Sequence, residues 1–138
     1  MTNTIQYPIS ETQPERLWSP TGRRFEDLTM ESVLQGTTTI DDFAITPNAL
    51  LMQAAVARRA ARITLAENFE RAAELVSVPD DVIFATYELL RPGRAASATE
   101  LISHAEQLRV EYGASRIATF VEEAAQAYQR RSLFRSRY

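Results

Sequence analysis

The 138-residue sequence contains no cysteine, no lysine and only one histidine, His104. The missing cysteines exclude disulfides, thiolate nucleophiles and cysteine-based zinc or iron–sulfur sites. Without lysine there is no Schiff-base amine and no Walker A phosphate-binding loop, and one histidine cannot form a histidine pair for a metal. Most standard catalytic constellations are therefore excluded.

Long apolar runs are also missing. The first residues, MTNTIQYPISETQ, have neither the basic nor the apolar region of a signal peptide, and no apolar run approaches the roughly 18 residues that a membrane span needs. We therefore expect a cytoplasmic protein. The net charge of −3 argues against a broad nucleic-acid-binding face, although all 15 basic residues are arginine.

The titratable residues that remain give no catalytic pattern. His104 lies among glutamates in TELISHAEQLRVEYG and is interpreted as a helix-surface residue rather than a general base. Acidic pairs such as Asp41–Asp42, Asp80–Asp81 and Glu122–Glu123 are adjacent in the sequence. Neighbouring residues in a helix diverge by about 100°, so the two carboxylates of such a pair cannot face one substrate together.

Composition predicts an all-α fold. Only four glycines occur, while alanine, leucine, glutamate and arginine are abundant, which favours helix over strand. With 45% hydrophobic residues, a chain of this length can bury a core of its own. We predict a helical domain of about four to five helices over residues 29–138, preceded by an extended arm over residues 1–28.

The predicted arm combines prolines with large aromatic side chains. The prolines are Pro8, Pro14 and Pro20. Their spacing favours extended or turn structure. Tyr7, Trp18 and Phe25 lie in the same segment and are candidates for contact with a partner, because aromatic side chains bury a large area at a small ordering cost.

Start and stop signals delimit the helices. Thr46 as N-cap and Pro47 at the first position begin a helix that is predicted to run about 30 residues to Val76. Shorter helices are predicted over 30–35, 79–91, 97–113 and 115–133, the third opened by a capping box and closed by a glycine. On one continuous long helix, Arg58 and Arg62 fall inside an apolar arc.

The segment NFERAAEL, residues 68–75, adds polar side chains to the same apolar helix. Buried arginines are costly unless their heads reach water or meet carboxylates, which come either from this chain or from a partner. An intrahelical pair from Glu67 to Arg71 is the simpler alternative. We predict polar contacts that fix helix register or a subunit junction at Arg58, Arg62, Asn68, Glu70, Arg71 and Glu74.

Four blocks of sequence carry a family resemblance. DLTMESVLQG, ITPNALLMQAAVA, NFERAAELVSVPDDVIFATYELLRP and IATFVEEAAQAY, in this order, resemble the small (gamma) subunit of adenosylcobalamin-dependent diol and glycerol dehydratases. The likeness runs from about Tyr7 to about Arg131, and its most specific block is residues 68–92. Nearly the whole chain is therefore covered.

The resemblance implies a supporting role in a larger enzyme. In this family two copies each of a large (alpha), a medium (beta) and a small subunit assemble. The large subunit is a TIM barrel that holds the substrate and a metal ion, and adenosylcobalamin lies between the large and medium subunits. Its radical chemistry converts glycerol or 1,2-propanediol to an aldehyde and water. The small subunit packs mainly on the large one, so no catalytic, cofactor-binding or metal-binding residue is expected here.

The resemblance also bears on partners and location. A reactivating factor is a further candidate partner, and neither nucleic acid nor membrane is expected. Some family members carry a long N-terminal extension associated with microcompartment packaging. This chain begins a few residues before YPIS, so such targeting by this subunit is not expected. The segment SPTG is closer to small subunits of glycerol dehydratases, but the substrate pocket lies on another chain and the preferred diol stays open.

A different class of protein stays open from the residues alone. A stand-alone helical adaptor or regulator could use the arginine-rich end, RRSLFRSRY, for weak and salt-sensitive contact with nucleic acid. The simpler interpretation of that end is a frayed helix whose cations suit the helix dipole. An independent enzyme is the third possibility, which the absence of a catalytic constellation disfavours.

Overall fold

The computed structural model describes residues 4–135, and their regular structure is helical. The α-helices are α1 (Ile9–Thr12), α2 (Met30–Leu34), α3 (Pro47–Arg59), α4 (Ile63–Leu75), α5 (Asp80–Leu90), α6 (Ala98–Tyr112) and α7 (Ser115–Arg131). Short 3-10 turns cover Pro14–Arg16, Phe25–Asp27 and Ile40–Phe43. The all-α prediction is confirmed. The count within the described residues exceeds the predicted four to five because α1 and α2 are short helices of four and five residues.

The chain forms two compact units, Met1–Val76 and Ser77–Tyr138. In the first unit, α3 and α4 pack against each other as a helical hairpin. Small side chains line this contact, since Ala54, Ala57 and Ala66 are buried together and Phe69 packs against them. Alanines on both helices permit a close approach of the two backbones.

The predicted 30-residue helix from Thr46 to Val76 is wrong. Thr46 caps α3 as expected, accepting a hydrogen bond from the N–H of Ala49 at 3.2 Å, but α3 ends at Arg59. Ala61 then adopts a left-handed conformation with φ 57°, and α4 begins at Ile63. Arg58 and Arg62 therefore do not lie on one continuous helix.

Two hydrogen bonds define the turn between α3 and α4. The N–H of Ala61 donates to the carbonyl of Arg58 at 3.0 Å, and the N–H of Arg62 donates to the carbonyl of Ala57 at 2.9 Å. This pair of bonds is the Schellman motif, in which glycine usually occupies the left-handed position. Here alanine occupies it, so the sequence carries no glycine or proline at the helix break.

The second unit is built around α6 and α7, which pack against each other. Ser97 caps α6 by accepting from the N–H of Glu100 at 3.3 Å, and Gly113 ends it with φ 64°, as predicted. The buried apolar side chains of the second unit are Val78, Ala95, Leu101, Ala105, Leu108, Ala114, Ile117, Ala118, Val121 and Ala125. Those of α7 recur at the three- and four-residue spacing of an amphipathic helix.

The end of the second unit is held rather than frayed. After α7 the chain turns at Ser132, and the carbonyl of Leu133 accepts from the N–H of Gly93 at 2.7 Å. The N–H of Arg135 donates to the carbonyl of Ala95 at 2.8 Å. The predicted frayed end is therefore wrong for residues 132–135, and residues 136–138 of the arginine-rich end lie outside the described part of the chain.

No helix between residues 4 and 135 combines the length and the apolarity that crossing a membrane requires.

Candidate partner interface

All nine residues predicted for a partner interface belong to the first unit. Arg58 and Glu70 lie on the two helices of the hairpin and pair with each other. The Nη2 of Arg58 contacts both carboxylate oxygens of Glu70, at 2.7 and 2.8 Å, and its Nε donates to Oε1 at 3.0 Å. Glu70 is only 8% exposed, so its charge needs this partner. The pair joins α3 to α4 within this chain.

Asn68, Arg71 and Glu74 lie on α4. The guanidinium of Arg71 donates to the side-chain oxygen of Asn68 at 2.6 Å, within one helical turn. Asn68 is exposed, whereas Arg71 and Glu74 are half-buried. The Arg71 contact to Asn68 joins residues three apart on one helix, so it supports local helix structure.

Arg62 lies at the start of α4. Arg62 and Tyr7, the tyrosine of the predicted arm, are both exposed and line a cleft of about 340 Å³ at the hairpin turn. The rest of the lining is Gln53, Val56, Ala57, Ala60, Leu65 and Phe69. We call this the hairpin cleft. Among residues 4–135, no carboxylate forms an ion pair with the Arg62 guanidinium.

The other two arm aromatics, Trp18 and Phe25, line a second depression of about 290 Å³, which we call the arm groove. Phe43, Ile45 and Gln53 are among its other lining residues. Trp18 is 51% exposed and Phe25 43% exposed. Large apolar side chains on a surface indicate a contact region when they lie together in this way.

Sequence reasoning missed a polar cluster at the arm groove, to whose lining Ser19 and Asp42 contribute. Asp42 is 5% exposed and accepts from the N–H of Thr39 at 2.8 Å and from the hydroxyl of Thr21. Ser19 and the guanidinium of Arg23 lie at 3.5 and 3.8 Å from its carboxylate. Asp42 thereby ties the segment 19–23 to the segment 39–42.

The electrostatics of Asp42 follow from these contacts. The hydroxyl of Thr21, the N–H of Thr39 and the charge of Arg23 hold the pKa of the Asp42 carboxyl below its usual value, although burial acts in the opposite direction. One sequence signal was available. Thr39 and Asp42 have the spacing of a capping box, and the structure contains one there. In the sequence alone, Asp42 is visible only as half of an acidic pair.

His104 lies on α6 in the second unit, and its side chain is half-buried rather than on the surface. Its Nε2 lies 2.6 Å from the hydroxyl of Thr86, which also donates to the carbonyl of Val82 at 2.7 Å. Burial lowers the pKa of His104. The prediction of a helix-surface histidine is corrected, because His104 links α6 to α5.

The described residues include no group of three or more His, Cys, Asp or Glu side chains arranged to hold a metal ion.

Comparison with known proteins gives a consistent result. The family model described as dehydratase small subunit matches residues 2–135. Two curated relatives, each named propanediol dehydratase small subunit, come from Salmonella typhimurium (strain LT2) and Citrobacter freundii. Each is 44% identical over 125 residues, which is 91% of this chain and 72% of the relative. The resemblance found in the sequence is confirmed, and the chain belongs to the dehydratase small-subunit family.

Proposed function

We propose that this chain is the non-catalytic small subunit of an adenosylcobalamin-dependent dehydratase that converts 1,2-propanediol or glycerol to the corresponding aldehyde and water. The observation that carries the proposal is the 44% identity, over 91% of this chain, to proteins named propanediol dehydratase small subunit. Its partners are a large and a medium subunit, with two copies of each of the three chains in the complex.

The role of the chain is to support assembly and stability of the large subunit. The exposed apolar surface of the first unit supports this role. Besides the arm aromatics it includes Met30, Val33, Leu34, Ile40, Phe43, Ile45, Leu51, Ile63, Leu65 and Val76. A subunit that is buried in a larger enzyme has this type of surface, since aromatic and aliphatic side chains dominate interface cores. Residues 1–28 are proposed to pack on the partner.

Adenosylcobalamin is assigned to the large and medium subunits and, when bound there, supplies the radical chemistry. The hairpin cleft and the arm groove measure about 340 and 290 Å³. Pockets for drug-sized ligands range from about 300 to 1,000 Å³, and cobalamin is larger than such ligands. Neither depression is large enough to enclose the cofactor, and no reaction step is assigned to a residue of this chain.

The first test is native mass spectrometry of a tagged copy of the chain, purified under gentle conditions from its own cells. The expected result is a complex with two other polypeptides that forms aldehyde from 1,2-propanediol or glycerol only when adenosylcobalamin is added. A lone monomer or a homo-oligomer would contradict the proposal and favour a stand-alone adaptor. The cytoplasmic location stays a prediction from the sequence.

A further inference from the structure

The hairpin cleft contains one cation in an apolar setting. Val56 and Phe69 are half-buried in its lining, and Tyr7, Arg62 and Leu65 are exposed at its surface. A smaller depression of about 240 Å³ adjoins it and shares Tyr7, Val56 and Ala60 with it. The exposed surface therefore continues from the cleft along the end of α3 toward Ile5.

Three arginines surround this turn, and two of them have partners within the first unit. Arg58 pairs with Glu70 through three hydrogen bonds. Arg59 donates to the backbone carbonyl of Ile5 and so holds Ile5 beside α3. Only Arg62 of the three has neither a carboxylate nor a carbonyl partner for its guanidinium among residues 4–135.

The charge of Arg62 restricts what can cover the cleft. A purely apolar segment seated on Val56, Leu65 and Phe69 would remove water from the Arg62 guanidinium without replacing its hydrogen bonds, which is strongly unfavourable. A segment with a carboxylate among apolar side chains can pair with the Arg62 guanidinium and also pack against the apolar lining. Arginine forms bidentate contacts with carboxylates, and tyrosine beside it is typical of the residues that dominate binding energy.

We infer that the hairpin cleft is the docking site for a segment of another dehydratase subunit in which an aspartate or glutamate is flanked by apolar side chains. The inference rests on the proposed function and specifies the chemistry of the partner surface. Arg62 receives the carboxylate, and the apolar lining receives the neighbouring side chains. Tyr7 covers one edge of the docked segment.

Two charge variants test the role of Arg62 in the reconstituted complex. Arg62→Glu is expected to weaken association with the other two subunits at least tenfold, since it places like charges together, and Arg62→Gln is expected to weaken it less. Arg130→Glu is the matched control because it makes the same charge change at an exposed residue of the second unit. Circular dichroism of each variant establishes that the helical content is unchanged.

Cross-linking identifies the occupant. The chain has no cysteine, so Leu65→Cys can carry a single benzophenone-maleimide in the cleft. After irradiation of the assembled complex, mass spectrometry should place the cross-link on an apolar peptide of another subunit that contains aspartate or glutamate. A cross-link to a second copy of this chain, or to a peptide without a carboxylate, would overturn the inference.

The two proposals fail in different ways. If wild-type chain does not co-purify with two other polypeptides, the proposed function fails. If the wild-type complex forms and Arg62→Glu binds as tightly as Arg130→Glu, the enzyme assignment stands and the docking site is wrong.

Discussion

Arg58 and Glu70 join α3 to α4 through three side-chain hydrogen bonds. The carboxylate is nearly buried, but the side chain of Arg58 is 43% exposed, so solvent screens part of the attraction. We expect a double-mutant cycle with Arg58→Met and Glu70→Gln to give a coupling free energy of about 1 kcal/mol, between the values of exposed and buried charged pairs. Urea unfolding of the four proteins measures it.

The exposed pair of Arg24 and Glu26 is the control for that cycle, because both of its side chains are 50% exposed. Its coupling free energy should be about 0.5 kcal/mol or less. Equal coupling in the two pairs would mean that the burial of Glu70 adds nothing to the hairpin.

Asp42 predicts a pH dependence of stability. Because its contacts lower the pKa of the folded carboxyl, its charge stabilises the folded state above the unfolded pKa of about 3.9, and this contribution is lost as the pH falls through the lower folded value. Asp42→Asn should therefore lower the Tm at pH 7. The difference in Tm between wild type and variant should shrink as the pH falls below about 4.

Asp41→Asn is the matched control, since Asp41 is exposed and lies next to Asp42 in the same turn. Thermal unfolding followed by circular dichroism at several pH values supplies the comparison. A Tm difference for Asp42→Asn that stays constant down to pH 2 would show that the charge of this carboxylate does not contribute.

At the scale of elements, the turn between α3 and α4 contains a strained residue. Alanine in the left-handed region costs roughly 1–2 kcal/mol, whereas the extra freedom of glycine in the unfolded chain costs roughly 0.5–1 kcal/mol. Ala61→Gly should therefore stabilise the chain by about 0.5–1 kcal/mol in urea unfolding. Ala60, which precedes it, has φ −83° and supplies the control.

Ala60→Gly should destabilise the chain by about 0.5–1 kcal/mol, because alanine adopts this negative φ without strain and glycine adds freedom to the unfolded chain. Opposite signs at two adjacent alanines would be difficult to explain by side-chain contacts. If both glycine variants were destabilising, the strain assigned to Ala61 would be absent.

The helix boundaries show which parts of the fold could be predicted from the sequence. Thr46 with Pro47, Ser97 and Gly113 carry capping chemistry, so helix boundaries there were predicted correctly. The break at Ala61 has no such signal, because alanine occupies the left-handed position that glycine usually takes. Local sequence does not contain that information.

The candidate site was predictable in composition but not in arrangement. Sequence placed Arg58 and Arg62 in one apolar arc, whereas the hairpin pairs the first with Glu70 and leaves the second in the cleft. Asp42 could have been recognised only from the capping-box spacing with Thr39. Contacts between distant segments, such as Thr21 with Asp42, required the fold.

At the scale of the whole molecule, the arm groove gives a prediction about assembly. Trp18 is the only tryptophan, so 5-fluorotryptophan gives one ¹⁹F resonance for this chain in a complex with unlabelled partners. Since Trp18 is 51% exposed in the isolated chain, we expect its resonance to lose its H₂O/D₂O sensitivity on assembly. A resonance that stays solvent-sensitive in the full complex would place the arm groove outside the interface.

The contribution of the arm aromatics to binding can be measured as the affinity of this chain for the large subunit. Deleting residues 1–26 should weaken binding to the large subunit, but the deletion also removes Ser19, Thr21 and Arg23 from around Asp42. The double variant Trp18→Ala, Phe25→Ala keeps that cluster and should cost about 2 kcal/mol of binding free energy, roughly thirtyfold in affinity. Phe84→Ala with Tyr87→Ala, two exposed aromatics of the second unit, is the matched control. If the arm variant binds as tightly as wild type while the truncated chain does not, the arm acts by holding the fold of the first unit rather than by contacting the partner.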